Sequence, residues 1–567
     1  MRLDQALELV MHPATSEGEE ESDEYSTDED SDSDSDSGSE LDPDIPGSSS
    51  DSDTDENPVD PDSEMISKSG QVWKSTNDET TYYIPASRGV PAGPTRYAIS
   101  RISDILSSFD LFITPDVITL LVSMTNLNGR RKLDDWKDVD AIEIRAYIGL
   151  LILAGVYRSK GESTESLWDK CNGRPIFRAT MSHKRFKLIN STIRFDDKLT
   201  RPSRIKQDKL APFRTLWEMW LHRLPLLFNP GKDVCVDEQL VGFRGRCHFR
   251  QYLPNKPAKY GIKIWITADV TTSYAWKCQI YTGKQAGCRA EVGQGKRVVL
   301  EMTEDLPGVT VTCDNFFTSF SLAEDLLKKK IAMVGTIRKN KPELPLKLLT
   351  QSGRPSLSSV FAFTKTISAV SYIPRRGKNV VLLSSKHREP TVNDDEKQKA
   401  VMITDYNRCK GAVDHLDWAC VKYSCKRMTA RWPQVLFFNM IDMSCFNSYV
   451  LFVAVEPTWN AAKTHRRRMY IEELGKSLVS QEVRRRTRIP RTRSSAAMVE
   501  EMQSPSAAAP ADPAPDCNPG LGPSAVKRGM CKLCKEKRSK VDARCIKCGN
   551  YTCKEHKITC CQHCWKN

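Results

Sequence analysis

The apolar positions of this 567-residue chain change period several times. Between about 90 and 230 they recur at helical spacing. DAIEIRAYIGLLILAGVY is apolar on every side, as a helix inside a core must be, and HKRFKLINSTIRF keeps a helical period with a basic face. From residue 232 the period shortens. KDVCVDEQLVGF, YGIKIWITADVTTS and YAWKCQIYTG read as three successive strands. A helix around RVVLEMTEDL, the strand VTVTCDNFF, the helix SLAEDLLKKK and the strand IAMVGTIRK follow. Residues 341–400 are irregular, rich in Pro, Ser and Lys with short strands such as NVVLLSSK, and read as an insertion. Helical spacing then resumes in GAVDHLDWACVKY and continues through RWPQVLFFNMIDMSCFNSYVLFVAV.

Three strands, helix, strand, helix, strand is the succession of an RNase H-like α/β fold, so the fold class expected is such a core with an insertion, flanked by mostly helical segments. The apolar run Ala146 to Tyr157 is about 12 residues, short of the roughly 20 that span a bilayer. Val435 to Val455 is longer but broken by Asn439, Asp442 and Asn447, which suits a buried helix. Neither a membrane span nor a secretory signal is expected.

Charge sharpens this picture. The first 64 residues hold 24 acidic side chains against the single base Arg2, while the whole chain carries +12, which leaves the rest near +35. A body so basic points to nucleic acid, because Lys and Arg that neutralise phosphates release condensed counterions. The Ser/Asp/Glu-rich start offers too little apolar surface to offset chain entropy and is expected to be disordered. It could serve as a solvating tail or as an acidic arm competing with DNA. The Arg-rich clusters at 466–468 and 484–493 point to nuclear import, with phosphate contact or plain surface as the alternatives.

The last residues carry a metal-binding pattern: Cys531-x2-Cys534, Cys545-x2-Cys548, Cys553-x2-His556 and Cys561-x2-Cys564. Close pairs of this kind place two ligands on one metal, so eight ligands make two closed, structural Zn²⁺ sites. Interleaved pairing would join Cys531, Cys534, Cys553 and His556 on one ion and the other four on the second. Sequential pairing fits the spacing as well. Cys560 and His563 are spares. Lys and Arg flanking the tail favour DNA as its partner over a ubiquitin-ligase role.

Chemistry on DNA phosphates uses two Mg²⁺ ions held by convergent carboxylates. Asp237 falls on the first strand, Asp314 at the end of the fourth, and Asp414 and Asp417 one helical turn apart on a later helix. Asp269 ends a strand nearby and reads as an acid bonded to backbone. Glu238, by alternation, points away from Asp237. Basic candidates for DNA contact are Arg244, Arg246, Arg250, Lys256 and Lys259, with Arg338 and Lys341 after the last strand. Trp432 fits either stacking on a splayed base or burial.

VDEQLVGFRGRCHFRQYLPNKPAKYGIKIW, TCDNFFTS, GTIRKNK, and GAVDHLD followed by RWP resemble the piggyBac transposase family, in the same order and with similar gaps, over roughly residues 95–460. The zinc tail resembles that family's C-terminal finger. The resemblance implies that Asp237, Asp314 and Asp414 are the catalytic aspartates, with Asp417 a fourth acid near the metals. It further implies nicking at element ends, hairpin intermediates, joining at TTAA targets, a homodimer on double-stranded DNA, and a DNA-binding domain split around the catalytic one. The domains expected are an acidic region (1–88), a helical dimerisation and DNA-binding domain (89–232 and 424–493), an RNase H-like domain (233–340 and 401–423), the insertion (341–400), a linker (494–526) and the zinc-binding domain (527–567). Two positions depart from the family pattern: Ala412 stands where a second glycine is common, and Trp418 where Gln is usual. The alternative to an active transposase is a domesticated DNA-binding protein derived from one.

Overall fold

The computed structural model describes residues 64–77, 89–283 and 291–504, and the antiparallel pairing of Gly529–Met530 with Lys540–Val541. Residues 1–504 and 505–567 are separate compact units. The expected zinc ligands and the acidic stretch before residue 64 lie outside the described residues.

The N-terminal half of the first unit is helical, as its apolar period requires. Helix α1 (Pro115–Lys132) starts at Thr114, whose hydroxyl accepts from the Val117 amide, with Pro115 in the first turn and Arg130, Arg131 and Lys132 in the last. Helix α2 (Ala141–Val156) is capped by Asp140 and buried from Ala146 to Val156, so its all-round apolar sequence marks a core helix. Helix α3 (His183–Thr192) is capped by Ser182 and buries Phe186 and Ile189.

A nine-stranded mixed sheet follows: β1 (Asp233–Gly242), β2 (Gln251–Tyr252), β3 (Tyr260–Asp269), β4 (Ala275–Ile280), β5 (Thr310–Cys313), β6 (Ala332–Thr336), β7 (Ser358–Phe363), β8 (Ser368–Arg375) and β9 (Lys378–Ser384). The spatial order is β7-β8-β9-β6-β5-β1-β3-β2, with β4 also on β3. Strand β1 runs antiparallel to β3 and parallel to β5, and β5 is parallel to β6. Between the strands lie α4 (Gln294–Met302) and α5 (Phe320–Lys328). Every element expected from residue 232 to 338 is present in its expected order.

Two expectations change. Residues 341–400, expected to be an irregular insertion, are regular: β7, β8 and β9 form a meander, and β9 pairs antiparallel with β6, extending the central sheet. Their apolar positions (Val370, Tyr372, Leu382) cover a local core, which the intervening Ser, Pro and Lys obscure in the sequence. Within the stretch 1–88 expected to be disordered, residues 64–77 form a small hairpin, Met65–Ile66 against Val72–Trp73. Backbone bonds between Lys74 and Phe363 tie it to β7, and one side chain anchors it in the core. Trp73 is fully buried, donates from Nε1 to the Glu343 carbonyl at 2.8 Å and meets Phe320 edge-on at 5.7 Å.

The described part of the first unit closes with α6 (Val401–Lys410), α7 (Ala412–Lys422), α8 (Trp432–Val455), α9 (Arg466–Arg484) and α10 (Arg493–Gln503), whose Val499 packs on Ala179 and Val483 where a linker was expected to begin. Helix α8 is long and apolar enough to cross a membrane, yet 94% of its apolar window is buried inside the protein. Its few polar residues are used internally. Asn447 accepts from the Ala275 amide at 3.0 Å and donates to the Ala275 carbonyl at 2.9 Å, standing in for a neighbouring strand beside β4. Helices α2 and α9 cross where Gly149 faces Gly475; a Cβ on Gly149 would lie 2.8 Å from Leu478 Cβ and 2.9 Å from the Gly475 carbonyl. The chain's two helical halves thus pack on one another beside the sheet.

Candidate active site

The parallel ladder between β1 and β5 ends at Val236 opposite Cys313. The next residue on each strand is an aspartate. Asp237, midway along β1, and Asp314, just past the end of β5, therefore emerge side by side where that ladder stops, at a strand spacing of about 4.8 Å. Asp314 also opens a turn: its Oδ1 accepts from the Phe316 amide at 2.9 Å and its carbonyl from Thr318. Helix α7 lies over the same face of β1. Cys235 Sγ donates to the Lys410 carbonyl at 3.3 Å, and Gln239 Nε2 donates to Asp417 Oδ1 at 2.8 Å. Asp414, one turn before Asp417, is 68% exposed and lies 3.7 Å from Lys256 Nζ.

The electrostatics mark this group as short of positive charge. Burial raises Asp237 well above the usual carboxylate range, and the charges of Glu238, Asp314 and Asp414 raise it further against the pull of Lys256. Burial, then Glu238, push Asp314 up to about 6, although the Phe316 amide, Lys263 and Arg338 oppose them. Burial also raises Asp417, against Gln239 and Lys256. Lys256 is the counterpart: burial disfavours its charge, but Asp237, Asp414, Glu238 and Asp417 outweigh that and raise its pKa. Among the described residues no three His, Cys, Asp or Glu side chains close round one point, so the acids stand as a loose group with the Lys256 ammonium among them. An all-carboxylate donor set with unrelieved repulsion is chemically suited to a hard divalent cation.

The basic candidates divide into two kinds. Arg244, Arg246, Lys259 and Arg338 are exposed and Lys341 is half-buried. Arg250, also exposed, is engaged with the backbone of its own loop, and Lys256 is turned inward. Arg250 Nη1 donates to the carbonyls of Arg244 (2.7 Å) and Gly245 (3.0 Å), folding the loop between β1 and β2. Lys256 Nζ donates to the Glu238 carbonyl at 3.3 Å. Trp432 opens α8 half-buried, its ring edge-on to Phe249 at 5.1 Å. Asp269 accepts from the Gly231 amide (2.7 Å), the Thr272 amide (2.9 Å) and the Thr272 hydroxyl (2.8 Å), as a strand-end acid does.

Glu238 projects to the face opposite Asp237, as alternation requires, and pairs with Lys263 at 3.5 Å. It still repels Asp237 and Asp314, an influence that a residue-by-residue face assignment misses. Gln239 was not singled out either. It donates to Asp417 and accepts from Asn439 of α8 at 2.9 Å, tying three elements together. Period-2 spacing from Asp237 was the available signal.

A family model described as Transposase IS4 matches residues 106–449. The chain belongs to the piggyBac-type transposases. It is 25% identical over 358 residues to the human PiggyBac transposable element-derived protein 3, covering 59% of each chain. With the human PiggyBac transposable element-derived protein 2 it shares 22% over 370 residues, 60% of each. The match thus spans about three-fifths of the length of these curated relatives. Among solved structures, a piggyBac transposase synaptic complex with hairpin DNA matches with a TM-score of 0.69 and 34% identity, covering 84% of this chain and all of that one.

Proposed function

We propose that this transposase cuts the ends of its element through hairpin intermediates and joins them at TTAA targets, using Asp237, Asp314, Asp414 and Asp417. The observation that carries the proposal is the pair of under-neutralised aspartates on adjacent parallel strands, just beyond the ladder that joins them, with a third acid presented from α7. Two Mg²⁺ ions bound to these carboxylates would polarise an attacking oxygen and steady a leaving one. The chain's own residues do the rest. Gln239 fixes the Asp417 carboxylate, and Lys256 keeps the metal-free acids from repelling one another apart. Exposed Arg244, Arg246, Lys259, Arg338 and half-buried Lys341 would hold phosphates near the acids. Hairpin DNA in the matching synaptic complex supports DNA as the substrate. A homodimer, nuclear localisation and two structural Zn²⁺ ions on Cys531, Cys534, Cys545, Cys548, Cys553, His556, Cys561 and Cys564 complete the proposal; for zinc the support is donor chemistry alone.

An excision assay in cells tests this: a reporter interrupted by the element's own ends, flanked by TTAA, with the repaired sites sequenced. Clean TTAA restoration, lost in Asp314→Asn, is the expected result. No excision from intact ends would favour a domesticated DNA-binding protein, a reading that the names of the human relatives and the departures at Ala412 and Trp418 bring forward.

A further inference from the structure

Trp418 lies on α7 one turn beyond Asp414, on the same helix face, and is 40% exposed. Positive charge surrounds its indole. Lys422 Nζ stands 4.8 Å from the ring centroid and the Arg467 guanidinium carbon 5.1 Å, while the His415 imidazole stacks at 5.6 Å and 25°.

Arg467 is the second residue of α9, whose first turn contains no acid although a helix N-terminus favours negative charge. Three arginines open that helix, and two are accounted for. Arg466 donates to the carbonyls of Trp459 (2.6 Å), Pro457 (2.8 Å) and Glu456 (3.1 Å). Arg468 pairs with Glu472 at 3.6 Å. Arg467 makes no hydrogen bond or ion pair among the described residues. Its neighbours are three aromatic rings: Trp418, Tyr423 at 5.5 Å and Phe446 at 5.9 Å. A half-buried guanidinium at a helix start, with its N–H groups unpaired by protein and open to solvent, is placed to accept an anion.

We propose that Trp418, Arg467 and Lys422 form a cradle for one unpaired DNA nucleotide beside the catalytic acids. The base stacks on the exposed part of the indole, and its phosphate is held by Arg467 and Lys422. A paired base presents only its edge, so the cradle selects melted or hairpin DNA over duplex, and it does so without regard to base identity. These are positioning residues, acting on the strand that carries the scissile phosphate. The inference rests on the DNA-cutting reading of the acids and explains a residue that departs from the family pattern.

The test uses the full-length chain without divalent ions and two probes: a DNA hairpin with a TTAA loop, and a fully paired duplex of the same stem. Fluorescence anisotropy gives the affinity for each. The wild type is expected to prefer the hairpin, and Trp418→Ala to lower that preference roughly five- to a hundredfold while duplex affinity stays put. Trp418→Phe restores most of it, whereas Trp418→Leu, which keeps apolar bulk without a π face, does not. Arg467→Gln flattens the salt dependence of hairpin binding by about one phosphate contact, and Arg467→Lys retains it. A 5-iodouracil in the loop crosslinks to the peptide containing Trp418. Equal preference in wild type and Trp418→Leu, or a loss of both probes alike, overturns the cradle. Hairpin preference in a wild-type protein that never nicks element ends would sink the catalytic reading and leave the cradle standing.

Discussion

Two acidic groups lie on one face of strand β1, about 13 Å apart, since four residues separate Asp233 from Asp237. At the first, Asp233 and Asp405 are saturated with cations. Arg408 reaches Asp233 at 3.0 Å and Asp405 at 2.5 Å, Lys386 reaches Asp405 at 2.6 Å, and His387 Nε2 lies 3.3 Å from Asp405. His387 above all, with Lys386 and Arg408, holds Asp405 far below the usual carboxylate range in spite of burial. At the second, burial and mutual repulsion push Asp237 and Asp314 the other way, with Lys256 the cation closest to hand. Asp233 and Asp237 share strand and face, and what differs is the depth of burial and the supply of positive charge around each group. An acid that holds a fold together is neutralised by that fold. An acid left short awaits a charge from outside.

The sharpest way to break this contrast is at the chemistry. Asp237→Asn, Asp314→Asn or Asp414→Asn should each cut strand cleavage by roughly a hundred- to a thousandfold or more while leaving DNA affinity unchanged, measured by nicking of labelled element ends. Asp405→Asn should do the reverse. It leaves cleavage per folded molecule intact and destabilises the protein by about 1–2 kcal/mol at pH 7 in urea titration, because Lys386, His387 and the half-exposed Arg408 lose their shared partner. As the folded-state pKa of Asp405 is depressed, the wild-type advantage is present above the unfolded value near 3.8 and disappears as pH falls below it.

The third prediction has the opposite sign. The pKa of Asp314 is raised to about 6, so the wild type loses stability as pH climbs from about 4 through 6. Without divalent ions, Asp314→Asn should therefore be more stable than wild type at pH 7, by at most about 3 kcal/mol, and the two should converge below pH 4. Added Mg²⁺ should raise the melting temperature of the wild type and leave that of Asp237→Asn almost unmoved. A wild type that outlasts Asp314→Asn in metal-free buffer at pH 7 would erase the distinction. Smallest is Lys256→Met, expected to cost the metal-free protein about 1 kcal/mol and to have that cost removed by Mg²⁺.

The candidate catalytic acids were legible because two periodicities and a sequence motif converge on them. Asp237 and Asp314 each follow a short buried strand run, and Asp414 and Asp417 share a helix face. What surrounds them was less so. Lys256 reads as one more phosphate contact in a basic loop. Its inward course depends on a turn in which the Leu253 amide donates to the Lys259 carbonyl and Lys259 takes a left-handed φ of 50°. No side-chain period encodes that. The meander of β7 to β9 was hidden by Ser, Pro and Lys between its apolar positions, and the 64–77 hairpin by the acidic stretch before Trp73. Trp418 stood out only as a departure from pattern, since its partner Arg467 lies 49 residues further on.

The glycine contact between α2 and α9 sets a timetable for biogenesis. Helix α2 is buried on all sides from Ala146 onward, yet the segment that covers it at Gly149 is made more than 300 residues later. At ribosomal speeds of about 5–20 residues per second, that apolar surface waits on the order of tens of seconds for its cover. A chain halted before residue 466 would therefore offer chaperones and proteases an open hydrophobic seam even with every aspartate of the proposed site already made.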